Sequence, residues 1–325
     1  MIITRAPLRL TFGGAPTDLD SYSRKYGGFC ISATINKYVY VAVNRTFNEQ
    51  IFLKYSNIEK VKSVDEIGHP IFREAIRLMN FKTPQLEISS MADVPSDGSG
   101  LGNSGAFTVA LLKALYQYRN IKLSDEAISA QACDININKL GKVQGKQDEY
   151  ASMTGGINCF YFETNGNVRV EPLNISYDNM LKLQNNLLLF YTGFNHDTNS
   201  ILKHQESKTQ LGDKEMIRNL NNAYSFGQSA KNYLEAGNLE GFGQRLNDQW
   251  ENKEQRMLRT NPMLKRLHMG FLNNGAIGAK LIGSGGGGFM MIYTTFHERV
   301  RDYAKLFNME ELRFSFDFEG CKRII

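Results

Sequence analysis

Apolar and polar positions alternate over Val39–Val43 and Ile51–Leu53, in β-branched and aromatic runs that predict strands. Pro70–Met79 reads as a short helix and Gln85–Ser89 as another strand. A polar, glycine-rich stretch, Asp93–Ser104, interrupts the pattern. From Gly105 to Tyr118 the apolar positions cover most of a helix circumference, with Ala106, Phe107, Val109, Ala110, Leu111, Leu112, Ala114 and Leu115. A helix of that kind is buried. Ser124–Leu140 predicts a further helix, and Gly155–Phe162 a strand after a turn. The second half opens with a strand, Leu187–Tyr191, and continues with helices over Thr198–Gln210, Lys214–Ala236 and Leu239–Leu258. A turn at Gly283–Gly288 leads into the strand Phe289–Tyr293. Strands and helices mixed in this order predict an α+β or α/β fold, with a boundary near residue 180.

The chain has 325 residues, enough for two domains. No run of apolar residues approaches the roughly 20 that a membrane helix needs. The first residues carry no charged region followed by a long apolar one, so they do not read as a secretory signal. The four cysteines, Cys30, Cys133, Cys159 and Cys321, form no Cys-x-x-Cys pair. Reduced thiols in a cytoplasm are the expectation, rather than zinc or disulfides. The net charge of +5 is dispersed, whereas nucleic-acid binders concentrate it. Neither nucleic acid nor membrane is therefore expected as a partner.

Glycine changes the picture most. In Pro95-Ser96-Asp97-Gly98-Ser99-Gly100-Leu101-Gly102-Asn103-Ser104, glycines at alternate positions precede the buried helix. They allow positive φ and close approach of a ligand to the backbone. Unpaired N–H groups and the positive end of the dipole then make the helix start an anion site. Ser104 is placed to cap the helix or to put its hydroxyl on a metal. A plain Gly-rich turn fits these residues equally well. The loop is neither a Walker A loop nor a dinucleotide fingerprint.

Pro-x-x-x-Gly-x-Gly-Leu-Gly-x-Ser before a buried helix resembles the nucleotide-binding motif of the GHMP kinases. Two further motifs of that family occur in order. Ala6-Pro7-Leu8-Arg9 followed by Gly14-Ala15-Pro16-Thr17-Asp18 matches the galactokinase pattern, and Gly283-Ser284-Gly285-Gly286-Gly287-Gly288-Phe289 resembles the third motif. One departure is Asn103, where the family has Ser; Asn103 keeps the capacity to hydrogen-bond a phosphate. The resemblance implies a two-domain α+β fold. Residues 1–180 would be like ribosomal protein S5 domain 2, and residues 181–325 ferredoxin-like.

The resemblance also implies chemistry. Pro95, Gly98, Gly100, Leu101, Gly102, Asn103 and Ser104 would hold ATP. Asp148, in Gly145-Lys146-Gln147-Asp148, would be the catalytic base, with Arg9 beside it stabilising charge. Thr17, Asp18, Gly286 and Gly287 would meet the substrate. Mg²⁺ is expected on Ser104 and an acidic residue of the preceding helix, where Asp134 is the only carboxylate that fits. Details around Gly105-Ala106-Phe107-Thr108-Val109 and Tyr191-Thr192-Gly193 resemble the D-glycero-D-manno-heptose 7-phosphate kinases. ATP and a sugar phosphate are then the expected partners of a monomer or homodimer. Arg24, Lys25, Lys37, His196 and Lys203 are cations available for the sugar's phosphate, and Tyr22 and Tyr38 rings available to pack on the sugar. A kinase of fucose or another hexose, a silent sugar and ATP sensor, and a nucleic-acid module are the competing readings.

Overall fold

The computed structural model describes residues 1–81, 85–95, 98–194, 198–257, 261–284 and 286–325. Ser96, Asp97, His196, Leu258 and Gly285 lie outside the described residues.

The first sheet is built on two long antiparallel strands, β1 (Ile2–Gly13) and β2 (Gly28–Asn44). A short helix, α1 (Asp20–Tyr26), joins them. Fully buried Ala6, Leu8, Leu10 and Phe12 alternate along β1 with Arg9 and Thr11. The period of two sends the apolar set into the core and the polar set to the other face. The outer half of β2 pairs with β5 (Gln85–Ala92), and β5 runs parallel to β3 (Gln50–Lys54), which carries β4 (Ile58–Val61) at the edge. The inner half of β2 pairs with β6 (Ile157–Phe162), and β6 with β7 (Val168–Pro172).

Helices cover this sheet. They are α2 (Pro70–Met79), α3 (Asn103–Tyr118), α4 (Asp125–Cys133) and α5 (Gln147–Thr154). The α3 helix is buried along most of its length, as its all-round apolar sequence requires. The predicted helix Ser124–Leu140 is α4 followed by a π-helical turn, Asp134–Lys139. Such turns widen a helix locally and recur at functional sites.

After α6 (Tyr177–Asn186) the chain enters a second, antiparallel sheet of β8 (Leu187–Tyr191), β9 (Ala276–Leu281) and β10 (Phe289–Thr294), ordered β8-β10-β9. Helices α7 (Thr198–Gln210), α8 (Lys214–Glu235), α9 (Leu239–Arg256), α10 (Pro262–Asn273) and α11 (His297–Lys305) accompany it. Residue 180 falls in α6, near the passage from one sheet to the other. The chain end nevertheless returns to the first sheet: Asn36 N donates to Ser315 O at 2.9 Å, and β11 (Lys322–Arg323) pairs with β1. The unit 181–325 expected from sequence therefore gives its last segment to the first sheet. Where the halves meet, a Cβ on Gly227 of α8 would lie 2.8 Å from Gly14 Cα, so the two backbones touch directly.

Candidate active site between the two sheets

The loop before α3 has Gly98, Gly100 and Gly102 all at positive φ, 68°, 75° and 81°. Leu101 is its buried anchor: its carbonyl accepts from Arg9 N at 2.9 Å. Asn103 staples the loop from below, its amide donating to Pro95 O at 2.9 Å and to Ser99 Oγ at 3.3 Å. Both side-chain donors are thus spent on protein acceptors, which leaves the main-chain N–H at the start of α3, where Asn103 lines the cleft, as the group it can offer a phosphate. Leu101 and Pro95 likewise support the loop and lie outside the cleft lining.

The third glycine motif packs beneath this loop. A Cβ on Gly283 would lie 2.7 Å from Gly100 Cα, and one on Gly288 would lie 2.4 Å from Gly98 O. Gly287 packs on the Phe194 carbonyl instead. The cleft is lined by Gly283 and Ser284 of this motif, so Gly286 and Gly287 do not occupy the substrate position expected for them.

Asp148 is the second residue of α5, and Asp18 caps that helix: Gln147 N donates to Asp18 Oδ2 at 3.2 Å. A helix N-terminus favours both carboxylates. Gly105 brings α5 against α3, because a Cβ there would stand 2.7 Å from Asp148 Cβ. Arg9 completes the arrangement. Its Nε donates to Asp148 Oδ1 at 2.8 Å, its Nη2 lies 2.7 Å from the same oxygen, and its Nη1 donates to Gly100 O. One guanidinium therefore ties the base candidate to the glycine loop. Burial, then the neighbouring Asp148 charge, pushes the Asp18 carboxyl up to about 6. Glu149, fully buried behind them, is pushed up to about 7 by burial and then by Asp148.

Three residues that sequence reasoning missed form the opposite wall of this cleft of about 370 Å³. Lys253, Arg256 and Lys280 are only 7%, 7% and 5% exposed. Lys253 Nζ donates to Leu281 O and Gly283 O, both at 2.7 Å. Lys280 Nζ donates to Gln249 Oε1 at 2.6 Å and Phe12 O at 3.1 Å. Arg256 reaches Asn219 Oδ1 at 3.2 Å, and its Nε has no partner. None of the three forms an ion pair among the described residues. Burial pulls Lys280 down to about 7 and Arg256 to about 10. Buried cations without counter-charges are costly, which marks a place for an anionic ligand.

Other expected residues sit elsewhere. The Thr17 hydroxyl is spent on Phe29, donating to its carbonyl at 2.9 Å and accepting from its N–H at 3.0 Å, outside the cleft lining. Arg24, Lys25 and Lys203 are exposed, and none of them, nor Lys37, lines the cleft. Tyr22 donates to Asn221 and Tyr38 to Asp317, both away from the cleft. The metal pair expected from the resemblance does not form. Asp134 Oδ1 accepts from Asn138 at 2.7 Å and is absent from the cleft lining, while Ser104 Oγ accepts from the Lys142 ammonium at 2.9 Å. Among the described residues no cluster of three or more acidic, His or Cys side chains is arranged to hold a metal.

A glycine loop opening a buried helix, with an arginine-held aspartate facing it, defines a phosphotransferase that uses ATP. The chain belongs to the GHMP kinases. Residues 70–156 match the GHMP kinases N terminal domain and residues 230–308 the GHMP kinases C terminal, together a little over half of the chain. The chain is 29% identical to the D-glycero-alpha-D-manno-heptose 7-phosphate kinase of Campylobacter jejuni, covering 99% of this chain and 98% of that protein. It superimposes on a D-glycero-D-manno-heptose 1-phosphate kinase from Bacteroides thetaiotaomicron with a TM-score of 0.82, at 25% identity over 100% of this chain and 99% of that one. The Lactococcus lactis galactokinase shares the fold, with a TM-score of 0.76 at 15% identity over 99% and 94% of the two chains. Among the described residues no helix is long and apolar enough to cross a membrane.

Proposed function

We propose that this chain transfers the γ-phosphoryl group of ATP to the anomeric hydroxyl of D-glycero-D-manno-heptose 7-phosphate, giving the 1,7-bisphosphate. That product would feed nucleotide-activated heptose synthesis. The observation that carries the phosphorylated acceptor is the wall of Lys253, Arg256 and Lys280, buried and without carboxylate partners. A neutral sugar leaves such a wall to the nucleotide phosphates alone, whereas a sugar phosphate brings a further anion to it. The similarity to a kinase whose name carries the same sugar phosphate supports the choice of acceptor.

The residues divide the work. The loop Gly98–Ser104 at the start of α3 cradles the nucleotide phosphates through its backbone and the helix dipole. Asp148 Oδ accepts the proton of the attacking hydroxyl, while Arg9 fixes the carboxylate and stabilises charge between loop and acceptor. Asp18, beside them, is available to a sugar hydroxyl. Mg²⁺, when it accompanies ATP, neutralises charge on the triphosphate.

A coupled assay tests this with heptose 7-phosphate, heptose 1-phosphate, fucose and unphosphorylated hexoses as acceptors. The heptose 7-phosphate is expected to exceed any neutral sugar in kcat/KM by about 10²-fold or more, since leaving the buried cations unmatched is penalised heavily. Strong turnover of a hexose with none of the heptose phosphate refutes the assignment.

A further inference from the structure

The position expected for a protein-held metal is taken by a lysine. Lys142 Nζ donates to Ser104 Oγ at the start of α3 and to Asn136 Oδ1, each at 2.9 Å. Both Lys142 and Ser104 line the cleft. The placement is built from beneath. Asn136 is fully buried, and its NH₂ donates to Thr108 Oγ1 at 3.0 Å and to Glu149 Oε1 at 2.9 Å. Thr108 spends its own hydroxyl hydrogen on Ser104 O at 2.8 Å, so it can only accept from Asn136. Gln144 donates to the same Glu149 oxygen at 2.7 Å. This chain of donors fixes the amide orientation: Oδ1 must face Lys142, because the flipped amide would set two donors against each other. The neutral Asn136 thus holds an ammonium where a carboxylate would hold a divalent ion. The main chain adds to it, with Lys142 N donating to Asn136 O at 3.0 Å.

We propose that Lys142 is a built-in cation for the nucleotide phosphates, and that the protein itself holds no Mg²⁺ between Ser104 and the segment before α5. The ammonium stands beside the helix start that faces the phosphates, where its third hydrogen is free for a phosphate oxygen. A divalent ion arriving with ATP is then held by the triphosphate and water, without a carboxylate from the π-helical turn. The proposal rests on the nucleotide reading of the cleft and on nothing about the acceptor.

Calorimetric binding of ADP and of a non-hydrolysable ATP analogue, in Mg²⁺ and in EDTA, tests it without any sugar. Wild-type protein is expected to bind nucleotide in EDTA within about threefold of its affinity in Mg²⁺. Lys142→Ala and Lys142→Gln are expected to weaken metal-free binding by about tenfold to a hundredfold, the loss of a charge-assisted contact, and Lys142→Arg to restore most of it. Unchanged metal-free affinity in folded Lys142→Ala protein overturns the proposal. Should the variants fail to fold, Mn²⁺ binding to the wild-type chain, read by electron paramagnetic resonance, decides the matter: a tight site in the absence of nucleotide overturns it, and its absence upholds it. No nucleotide binding under any condition would instead remove the nucleotide reading itself.

Discussion

At the residue scale the site separates into groups legible from sequence and groups that are not. Asp148 and Arg9 stand in motifs with fixed neighbours, and the structure brings them within one hydrogen bond of each other. Lys253, Arg256 and Lys280 are lone cations on α9 and β9, and nothing in their spacing separates them from surface residues; only the packing of α9 onto β9 buries them. Asp148→Ala is expected to lower kcat by about 10³-fold, within the usual span for a general base, with nucleotide affinity nearly unchanged by calorimetry. Asp18 makes a pH prediction. Its folded-state value of about 6 lies above the ordinary 3.8, so the folded chain binds this proton more tightly than the unfolded one. The stabilisation is complete below about pH 4 and is lost as pH rises through 6, a change of about 3 kcal/mol. Lys280, pulled down to about 7, begins to lose its proton in the folded chain toward the top of this window, but it is common to both proteins compared and cancels in the difference. Glu149 slopes in the same direction but is common to both proteins compared. Asp18→Asn keeps the group neutral, so its Tm relative to wild type should rise from pH 4 to pH 7 and then level off. A difference that stays flat across that range removes the burial argument for Asp18.

At the element scale, α2 was legible because its apolar positions recur at helical spacing, α3 because its apolar run is too long for a strand, and the glycine loop because it stands directly before that helix in a motif with fixed neighbours. The break of the predicted Ser124–Leu140 helix into α4 and a π-helical turn was not legible, since both conformations present similar side-chain spacing. That turn decided the fate of Asp134: the widened backbone carries Asn136 inward to the core and leaves Asp134 paired with Asn138. Gly105 links two elements that the sequence shows only separately. Its lack of a side chain lets α5 approach α3, and a Cβ would meet Asp148 Cβ at 2.7 Å and Glu149 N at 3.0 Å. Gly105→Ala is compatible with helical φ, so the strain falls on the contact between helices. Overpacking of this kind costs about 1–3 kcal/mol and moves the lighter partner, here the short helix α5. A shift of about 1 Å at Asp148 lowers kcat by about 10²-fold while KM for ATP changes little. A variant that loses nucleotide affinity but keeps kcat would place the strain in the loop instead.

At the scale of the whole molecule, the chain end returns to brace the helix that carries the base candidate. No periodicity in residues 315–325 announces this, because the segment is mostly irregular and is fixed by contacts far apart in sequence. Asp317 organises it. Its Oδ1 accepts from Gly320 N at 2.9 Å and Glu319 N at 3.1 Å, and its Oδ2 from the Tyr38 hydroxyl at 2.8 Å. Burial, followed by the hydrogen bond to Asp317, pushes the Tyr38 phenol up. The turn so formed lies against the end of α5: Cys321 N donates to Met153 O at 3.1 Å, Gly156 N donates to Asp317 O at 2.7 Å, and a Cβ on Gly155 would meet Gly320 N at 2.3 Å. Asp317→Ala strands buried donors on Tyr38 and Gly320, a loss of about 2–4 kcal/mol. Tm should fall by about 3–6 °C, since each kcal/mol shifts a chain of this size by about 1.5 °C. Because α5 is clamped at its C-terminal end by this turn and presents Asp148 at its N-terminal end, kcat should fall as well, with Asp317→Asn intermediate in both readouts. Loss of Tm with kcat untouched at a temperature where the variant is folded would show that the tail stabilises the first sheet without positioning the base.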